Sequence, residues 1–120
     1  MAQAIAGTAY LKVDAQQYPL KGAFVVSPGS IIRTGIAGQD GVHGYQEMPR
    51  IPYIEGDVSS TPDISFEAIE QLTDVTVTAE LINGHVYVLR NAWQRGEIEI
   101  NTRDGQARIR FEGLACDEIL

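Results

Sequence analysis

Apolar and polar residues alternate along several short stretches of the chain, which is the pattern of half-buried β-strands. In residues 8–13 the side chains of Leu11 and Val13 fall on one face, and those of Tyr10 and Lys12 fall on the other. Strand patterns recur through the rest of the chain. The predicted strands cover residues 8–13, 18–27, 50–59, 74–82, 85–91, 97–101 and 106–112.

Two dipeptides predict the turns that join the later strands. Asn83-Gly84 combines two residue types that readily adopt positive φ, so it predicts a two-residue type I′ turn. Asp104-Gly105 predicts the two-residue loop of the last hairpin in the same way. The second half of the chain is therefore expected to form two antiparallel hairpins.

One short helix is predicted over residues 66–72. Ser65 is a suitable N-cap, because its hydroxyl can accept a hydrogen bond from a free backbone N–H group in the first turn. Glu67 places a carboxylate near the positive end of the helix. Seven strands and one short helix predict a single mainly β domain over residues 1–120. The expected fold is an antiparallel β-sandwich or barrel-like subunit with one short α-helix.

Residues 28–49 lack the alternation of the predicted strands and are rich in glycine. Glycine recurs there at every third position, at Gly35, Gly38, Gly41 and Gly44. The repeat lacks the proline of a collagen helix, so it predicts flexible, extended backbone. Loops of this length are uncommon in a compact domain and are usually functional or disordered. We therefore predict one long glycine-rich loop with a functional role.

The charge balance argues against tight binding to nucleic acid. The formal net charge is −7, with nine Lys and Arg residues against sixteen Asp and Glu residues. Proteins that bind DNA gain affinity by neutralising phosphates with Lys and Arg. No apolar run approaches the roughly 20 residues of a transmembrane helix, and residues 1–5 do not resemble a secretory signal. The single cysteine, Cys116, indicates a reducing compartment and is predicted to be an unreactive thiol.

The residue patterns of common enzymes are missing from the sequence. No glycine-rich phosphate-binding loop follows a predicted strand, and His43 and His85 are the only histidines. Asp40 and His43 supply two metal ligands at most, whereas metal sites usually need three or four. Trp93 with Tyr87 fits a stacking platform for bases or sugars, but a core tryptophan is the favoured interpretation. We expect a protein without catalytic activity, cofactor or metal.

Several blocks of the sequence together resemble one known family. The blocks are GTAYLKVD at residues 7–14, YPLKG at 18–22, GQDGVHGY at 38–45, PRIPYIE at 49–55, YVLRNAW at 87–93 and FEG at 111–113. Each block is short, but they follow one another in the expected order along nearly the whole chain. In these blocks the chain resembles the tail tube proteins of Mu-like contractile-tailed bacteriophages.

The resemblance implies a virion structural protein that is made in the host cytoplasm and resides in the phage tail. Identical subunits would form hexameric rings, and the rings would stack into a hollow tube inside a contractile sheath. The implied partners are the sheath, tape-measure, tail terminator and baseplate proteins. DNA would pass through the tube without specific binding, and the subunit would not bind membranes.

Two sets of site residues are hypotheses within this interpretation. The glycine-rich loop would make contacts between rings, and an acidic strand face would line the channel so that DNA slides without adhering. The lumen-facing acidic candidates are Glu55 and Asp57. The ring-stacking candidates are Gly35, Ile36, Gly38, Gln39, Asp40, Gly41, His43, Gly44 and Tyr45.

Two other functions are alternatives for the same sequence. The tube of a type VI secretion or pyocin-like injection machine would share the fold and the subunit size, so the sequence separates it poorly from a phage tube. The second alternative is a small β-barrel module that binds ligands such as single-stranded nucleic acid or sugars. The acidic charge and the lack of a basic, aromatic-lined face argue against this second alternative.

Overall fold

The computed structural model describes residues 9–14, 16–18, 20–62 and 64–119. Within these ranges the chain forms eleven β-strands and one α-helix, α1, which covers Phe66–Glu70. The strands are β1 (Ala9–Val13), β2 (Gln16–Tyr18), β3 (Leu20–Ser27), β4 (Ile31–Gly38), β5 (Gly41–Pro49), β6 (Tyr53–Ser59), β7 (Val75–Leu81), β8 (Val86–Gln94), β9 (Ile100–Asn101), β10 (Gln106–Glu112) and β11 (Ala115–Ile119).

Nine of these strands form a body of two connected layers. The first layer has the order β2-β1-β7-β8-β11, and the second has the order β3-β6-β10-β9. The end of β8 connects the layers, because Gln94 and Trp93 pair with Phe111 and Glu112 of β10. All of the pairings are antiparallel. Among the strands that the structure describes, β4 and β5 pair with each other and with no other strand, so they form a separate hairpin.

Both layers contribute to one hydrophobic core. Every second residue of β6 is buried, and β7 and β10 alternate in the same way over most of their length. The core residues are Leu11, Val13, Tyr18, Ile54, Val58, Ile69, Val75, Val77, Ala79, Leu89, Ala92, Ala107, Ile109 and Phe111. The alternation therefore marks the side of each strand that faces the core. The predicted mainly β, antiparallel, sandwich-like fold with one short helix is confirmed.

The predicted helix is present and ends two residues earlier than expected. The Ser65 hydroxyl accepts a hydrogen bond from the backbone N–H of Ala68 at 3.2 Å, and Glu67 lies in the first turn. Both features stabilise a helix N-terminus. Ile69 is almost completely buried, so this apolar side chain anchors the short helix to the core. The described part of the chain contains no helix long and apolar enough to cross a membrane.

The predicted type I′ turn between β7 and β8 is wrong, although the hairpin exists. The Leu81 N–H donates to the carbonyl oxygen of His85, which leaves a three-residue loop of Ile82, Asn83 and Gly84. Of these three, only Gly84 has positive φ, at 94°. A three-residue loop needs one left-handed residue, whereas a type I′ turn needs two. The Asn83 side chain instead accepts a hydrogen bond from the His85 N–H at 3.1 Å.

The last hairpin also has a longer loop than predicted. Asn101 pairs with Gln106, so the loop comprises residues 102–105 rather than Asp104 and Gly105 alone. The Asn101 side-chain oxygen accepts hydrogen bonds from the backbone N–H groups of Arg103 and Asp104. These bonds satisfy backbone donors that the wider loop leaves without a strand partner.

Residues 31–49, expected to be a flexible loop, form the β4–β5 hairpin instead. The expectation fails because apolar alternation reports burial on one face, and this hairpin is exposed on both. Of the predicted strand over residues 18–27, Tyr18 ends β2 and residues 20–27 form β3, while residue 19 lies outside the described residues. The pattern also does not predict β11, in which Asp117 and Glu118 interrupt the apolar residues.

Candidate assembly surfaces

The β4–β5 hairpin combines regular pairing with almost complete exposure. Its strands pair over nearly their whole length, and Gln39 and Asp40 form the turn. His43 is an extra residue, a β-bulge, in β5. Only Gly44 is partly buried among the residues of the two strands. A two-stranded hairpin without a packed face is marginally stable in water, so this hairpin lacks the burial that stabilises the body.

Both faces of the hairpin carry exposed apolar side chains, and one of them also carries an ion pair. On one face Arg33 and Glu47 lie opposite each other and form an ion pair, with Nε and Oε1 3.1 Å apart. On the other face Ile32 lies opposite Met48, and Ile36 follows on the same side of β4. These three apolar side chains are exposed. We call them the apolar face of the hairpin, a kind of surface that often marks a protein–protein contact.

The hairpin tip contains an Asp–His pair among glycines. His43 Nε2 lies 2.6 Å from Asp40 Oδ1. A Cβ atom on Gly38 would lie 2.5 Å from the His43 ring, so the glycine leaves room for that ring. Gly41 and Gly44 have φ values of 133° and 137°, which residues with a side chain rarely adopt. The geometry of the hairpin therefore explains why glycine occupies three of the four regularly spaced positions, 38, 41 and 44.

The second layer of the body presents a charged outer face, formed by Glu55, Asp57, Arg108, Arg110 and Glu112. Arg108 lies between two carboxylates of β6, with Nη2 3.1 Å from Glu55 Oε1 and Nη1 3.4 Å from Asp57 Oδ1. The pKa of Arg108 is raised above its ordinary value, mainly by the hydrogen bond to Glu55. Arg110 lies 3.3 Å from Glu112 and 3.9 Å from Glu55. Each arginine of this charged face thus contacts two carboxylates.

The other residues considered for chemistry are the possible metal ligands, Cys116 and Trp93. Among the described residues, no group of three or more His, Cys, Asp or Glu side chains could hold a metal ion. Burial raises the pKa of the Cys116 thiol, with a further contribution from Asp117, which disfavours the reactive thiolate. Trp93, interpreted as a core residue, is only half-buried, because it lies where β8 passes from the first layer to the second.

The predicted site residues lie on two different surfaces. All nine ring-stacking candidates lie in the outer half of the hairpin, and Glu55 and Asp57 lie on the charged face. Sequence reasoning missed Arg108 as the shared partner of these two carboxylates. That pairing depends on the register between β6 and β10, which are far apart in the chain. It also missed the apolar face, since the sequence does not reveal that these residues stay exposed.

Comparison with known proteins decides the family. A model of the family described as phage tail tube protein matches residues 2–118 of the chain. The chain belongs to the phage tail tube protein family. The resemblance found in the sequence blocks is therefore confirmed.

Two tail tube proteins are similar to the chain over most of its length. The Mu-like prophage FluMu tail tube protein of Haemophilus influenzae is 25% identical over 121 aligned residues, which cover 99% of each chain. The tail tube protein of Escherichia phage Mu is 25% identical over 91 residues, which cover 76% of each chain.

Solved structures of contractile assemblies contain chains with the same fold. A chain from the anti-feeding prophage cap, the AFP tube terminating cap, has a TM-score of 0.67 and 12% identity, and the match covers 99% of this tail tube protein and 93% of that chain. A chain from the PVC sheath/tube terminator of an extracellular contractile injection system, in the extended state, has a TM-score of 0.64 and 12% identity, with 93% of both chains covered. At this identity the likeness establishes the fold alone.

Proposed function

We propose that this tail tube protein assembles into hexameric rings, which stack into the hollow tube of a Mu-like contractile phage tail. The observation that carries the proposal is the similarity to the FluMu tail tube protein over 99% of the chain. The exposed hairpin supports it, because a subunit that assembles must present surfaces that the free subunit leaves uncovered. The tube would lie inside the sheath and contact the tape-measure, tail terminator and baseplate proteins, with a structural and not a catalytic role.

We assign the contacts between rings to the hairpin. Contact with a neighbouring ring would bury the apolar face, and each Å² of apolar surface removed from water stabilises the contact by about 25 cal/mol. The ring-stacking candidates Gly35, Ile36, Gly38, Gln39, Asp40, Gly41, His43, Gly44 and Tyr45 would lie nearest to the neighbour.

We assign the channel wall to the charged face, including Glu55 and Asp57. Duplex DNA carries one negative charge per ~1.7 Å of its axis, so a free arginine on the wall would bind passing phosphates. Arg108 and Arg110 each contact two carboxylates already. A phosphate would therefore have to displace a carboxylate before it could bind, and the DNA would slide.

Assembly is tested by negative-stain electron microscopy and sedimentation of the purified protein at increasing concentration. We expect annular particles or filaments, and a sedimentation coefficient that rises with concentration. A strict monomer at high concentration, which also fails to assemble with sheath and baseplate proteins, would contradict the proposal.

The wall is tested with the double variant Glu55→Gln and Asp57→Asn, which removes two carboxylates from Arg108. Assembled tubes of this variant should retain DNA at low salt and release it as salt rises, because exposed charges are screened within ~10 Å at 0.1 M. The matched control is Asp117→Asn, which frees Arg90 on the first layer from an ion pair of 2.7 Å. Equal DNA retention by both variants would contradict the assignment of the wall.

A further inference from the structure

The hairpin leaves the body through two short connectors, residues 28–30 and 50–52. Arg50, in the second connector, donates three hydrogen bonds to the chain entering the hairpin. Its backbone N–H bonds to the Ser30 oxygen at 2.9 Å, and its Nη1 bonds to the Gly29 oxygen at 2.9 Å. Its Nη2 bonds to Ser27 Oγ at 2.6 Å. One side chain therefore joins both connectors at the base of the hairpin.

The same guanidinium also contacts the body. It lies over the ring of Tyr53, 5.8 Å from the centroid. Tyr53 begins β6 and pairs with Ser27 at the end of β3, and the Arg110 guanidinium lies 3.7 Å from the centroid of the same ring. Arg50 is thus bound both to the connectors and to the strand pair from which they emerge. A planar guanidinium with five N–H donors can make these contacts together, whereas a lysine ammonium cannot.

Gly29 provides an independent sign that this arrangement is tightly fitted. A Cβ atom at this position would lie 3.1 Å from Arg50 Nη1, which is closer than an ordinary van der Waals contact. The Cβ atom alone would require the guanidinium to move by a few tenths of an ångström, and the two further carbons of a valine would crowd its hydrogen bonds more. The position has no positive φ, so such a substitution adds no backbone strain.

We propose that Arg50 is a positioning residue that sets the direction in which the hairpin leaves the body. β4 has eight residues, and strands rise about 3.3 Å per residue, so the tip lies about 26 Å from the base. A rotation of about 10° at the base would move the tip by about 5 Å, which is close to the spacing of neighbouring strands. The importance of Arg50 for assembly rests on the proposed hairpin contact between rings.

The test uses Arg50→Lys and Gly29→Val, with Arg33→Lys as the matched control. Both test variants disturb the guanidinium contacts, one by changing Arg50 and the other by displacing it. The control makes the same Arg-to-Lys change within the hairpin, at the Arg33–Glu47 ion pair, and leaves the base intact. Unfolding midpoints of all variants should stay close to that of the parent protein, because none of these residues belongs to the core.

The direct readout is the distance between two spin labels, measured by pulsed electron paramagnetic resonance on the monomer. The labels are placed at Gln39→Cys on the tip and Thr76→Cys on β7, in a Cys116→Ser background. Arg50→Lys and Gly29→Val should broaden the distance distribution or shift its maximum, and a rotation of about 10° at the base corresponds to a shift of about 5 Å. Arg33→Lys should leave it unchanged. Distributions that match the parent in both test variants would overturn the proposal.

Assembly is then followed for the same variants by electron microscopy. Loss of tubes together with a changed distance distribution supports the inference and its link to assembly. Normal tubes from variants with a changed distribution would overturn that link. If the parent protein forms no tubes while Arg50→Lys and Gly29→Val show the predicted changes in distance, the proposed function fails and the positioning role of Arg50 stands.

Discussion

The nine-stranded body and the β4–β5 hairpin use the same antiparallel pairing, but they differ in what the pairing buries. In the body, strands such as β6 bury every second side chain against the opposite layer. In the hairpin, Val42 is 85% exposed and Tyr45 is 63% exposed, and neither strand has a buried residue. The hairpin also carries Ile32 and Met48 on an uncovered face, whereas the apolar residues of β6 are covered.

This contrast separates folding from assembly within one short chain. The body contains the hydrophobic core and should fold without the hairpin, since burial of apolar surface is the dominant favourable term in folding. The hairpin gains little from the body except its direction, which Arg50 sets at the base. Its side chains are available for contacts with other subunits. Substitutions in the two regions should therefore affect different measurements.

The largest difference in stability is expected between Phe111→Ala and Ile36→Ala. Phe111 is 1% exposed in the core, and its truncation should lower the free energy of unfolding by about 3–5 kcal/mol. Ile36 is exposed in the hairpin, so its truncation should change the free energy of unfolding by less than about 0.5 kcal/mol. Urea or thermal unfolding of the two variants measures this difference. Similar losses in both would mean that the hairpin belongs to the cooperative core.

A smaller difference in stability is expected between the variants Gly84→Val and Gly35→Val. Gly84 has a φ of 94° in the β7–β8 loop, so a β-branched residue there should cost about 1–3 kcal/mol. Gly35 has no positive φ and no atom within 4 Å of an added Cβ, so its substitution should leave the melting temperature nearly unchanged. Thermal unfolding checks both. An unchanged melting temperature for Gly84→Val would contradict the loop geometry.

The smallest effect concerns the reactivity of thiols in the two regions. Burial raises the pKa of Cys116 in the body, so less of it is thiolate near neutral pH. It should react with iodoacetamide several-fold more slowly than a cysteine introduced by Gln39→Cys at the exposed tip, in a Cys116→Ser background. The ratio of the two reaction rates should approach one as the pH rises above both pKa values, because both thiols are then ionised. Equal rates at neutral pH would contradict the partial burial of Cys116.

The same contrast explains which features can be read from the sequence. The alternation in β1, β7 and β10 predicts strands and their buried faces, because one side of each strand meets the core. The cap at Ser65 is predicted because it depends only on neighbouring residues. The hairpin has no buried face, so its residues resemble a loop. Its glycines indicate a special backbone without revealing that Gly38 accommodates the His43 ring.

The candidate surfaces are less predictable than the fold for a related reason. The sequence shows that Glu55 and Asp57 are acidic and share one face, but their partner Arg108 is more than 50 residues away along the chain. The β6–β10 register that joins them is set by the packing of the whole body. The exposed apolar face depends equally on tertiary structure. Its residues look like core residues until their exposure is known.

We expect the body to fold alone and the hairpin to be needed for assembly. The most direct test replaces residues 36–45 by a short Gly-Ser link and compares the variant with the parent protein by thermal unfolding and electron microscopy. We expect an unchanged melting temperature for the body and no tubes at any concentration at which the parent forms them. A variant that unfolds would show that the hairpin stabilises the core, and a variant that still forms tubes would show that ring contacts lie elsewhere. Either result would contradict the division of folding and assembly between the body and the hairpin.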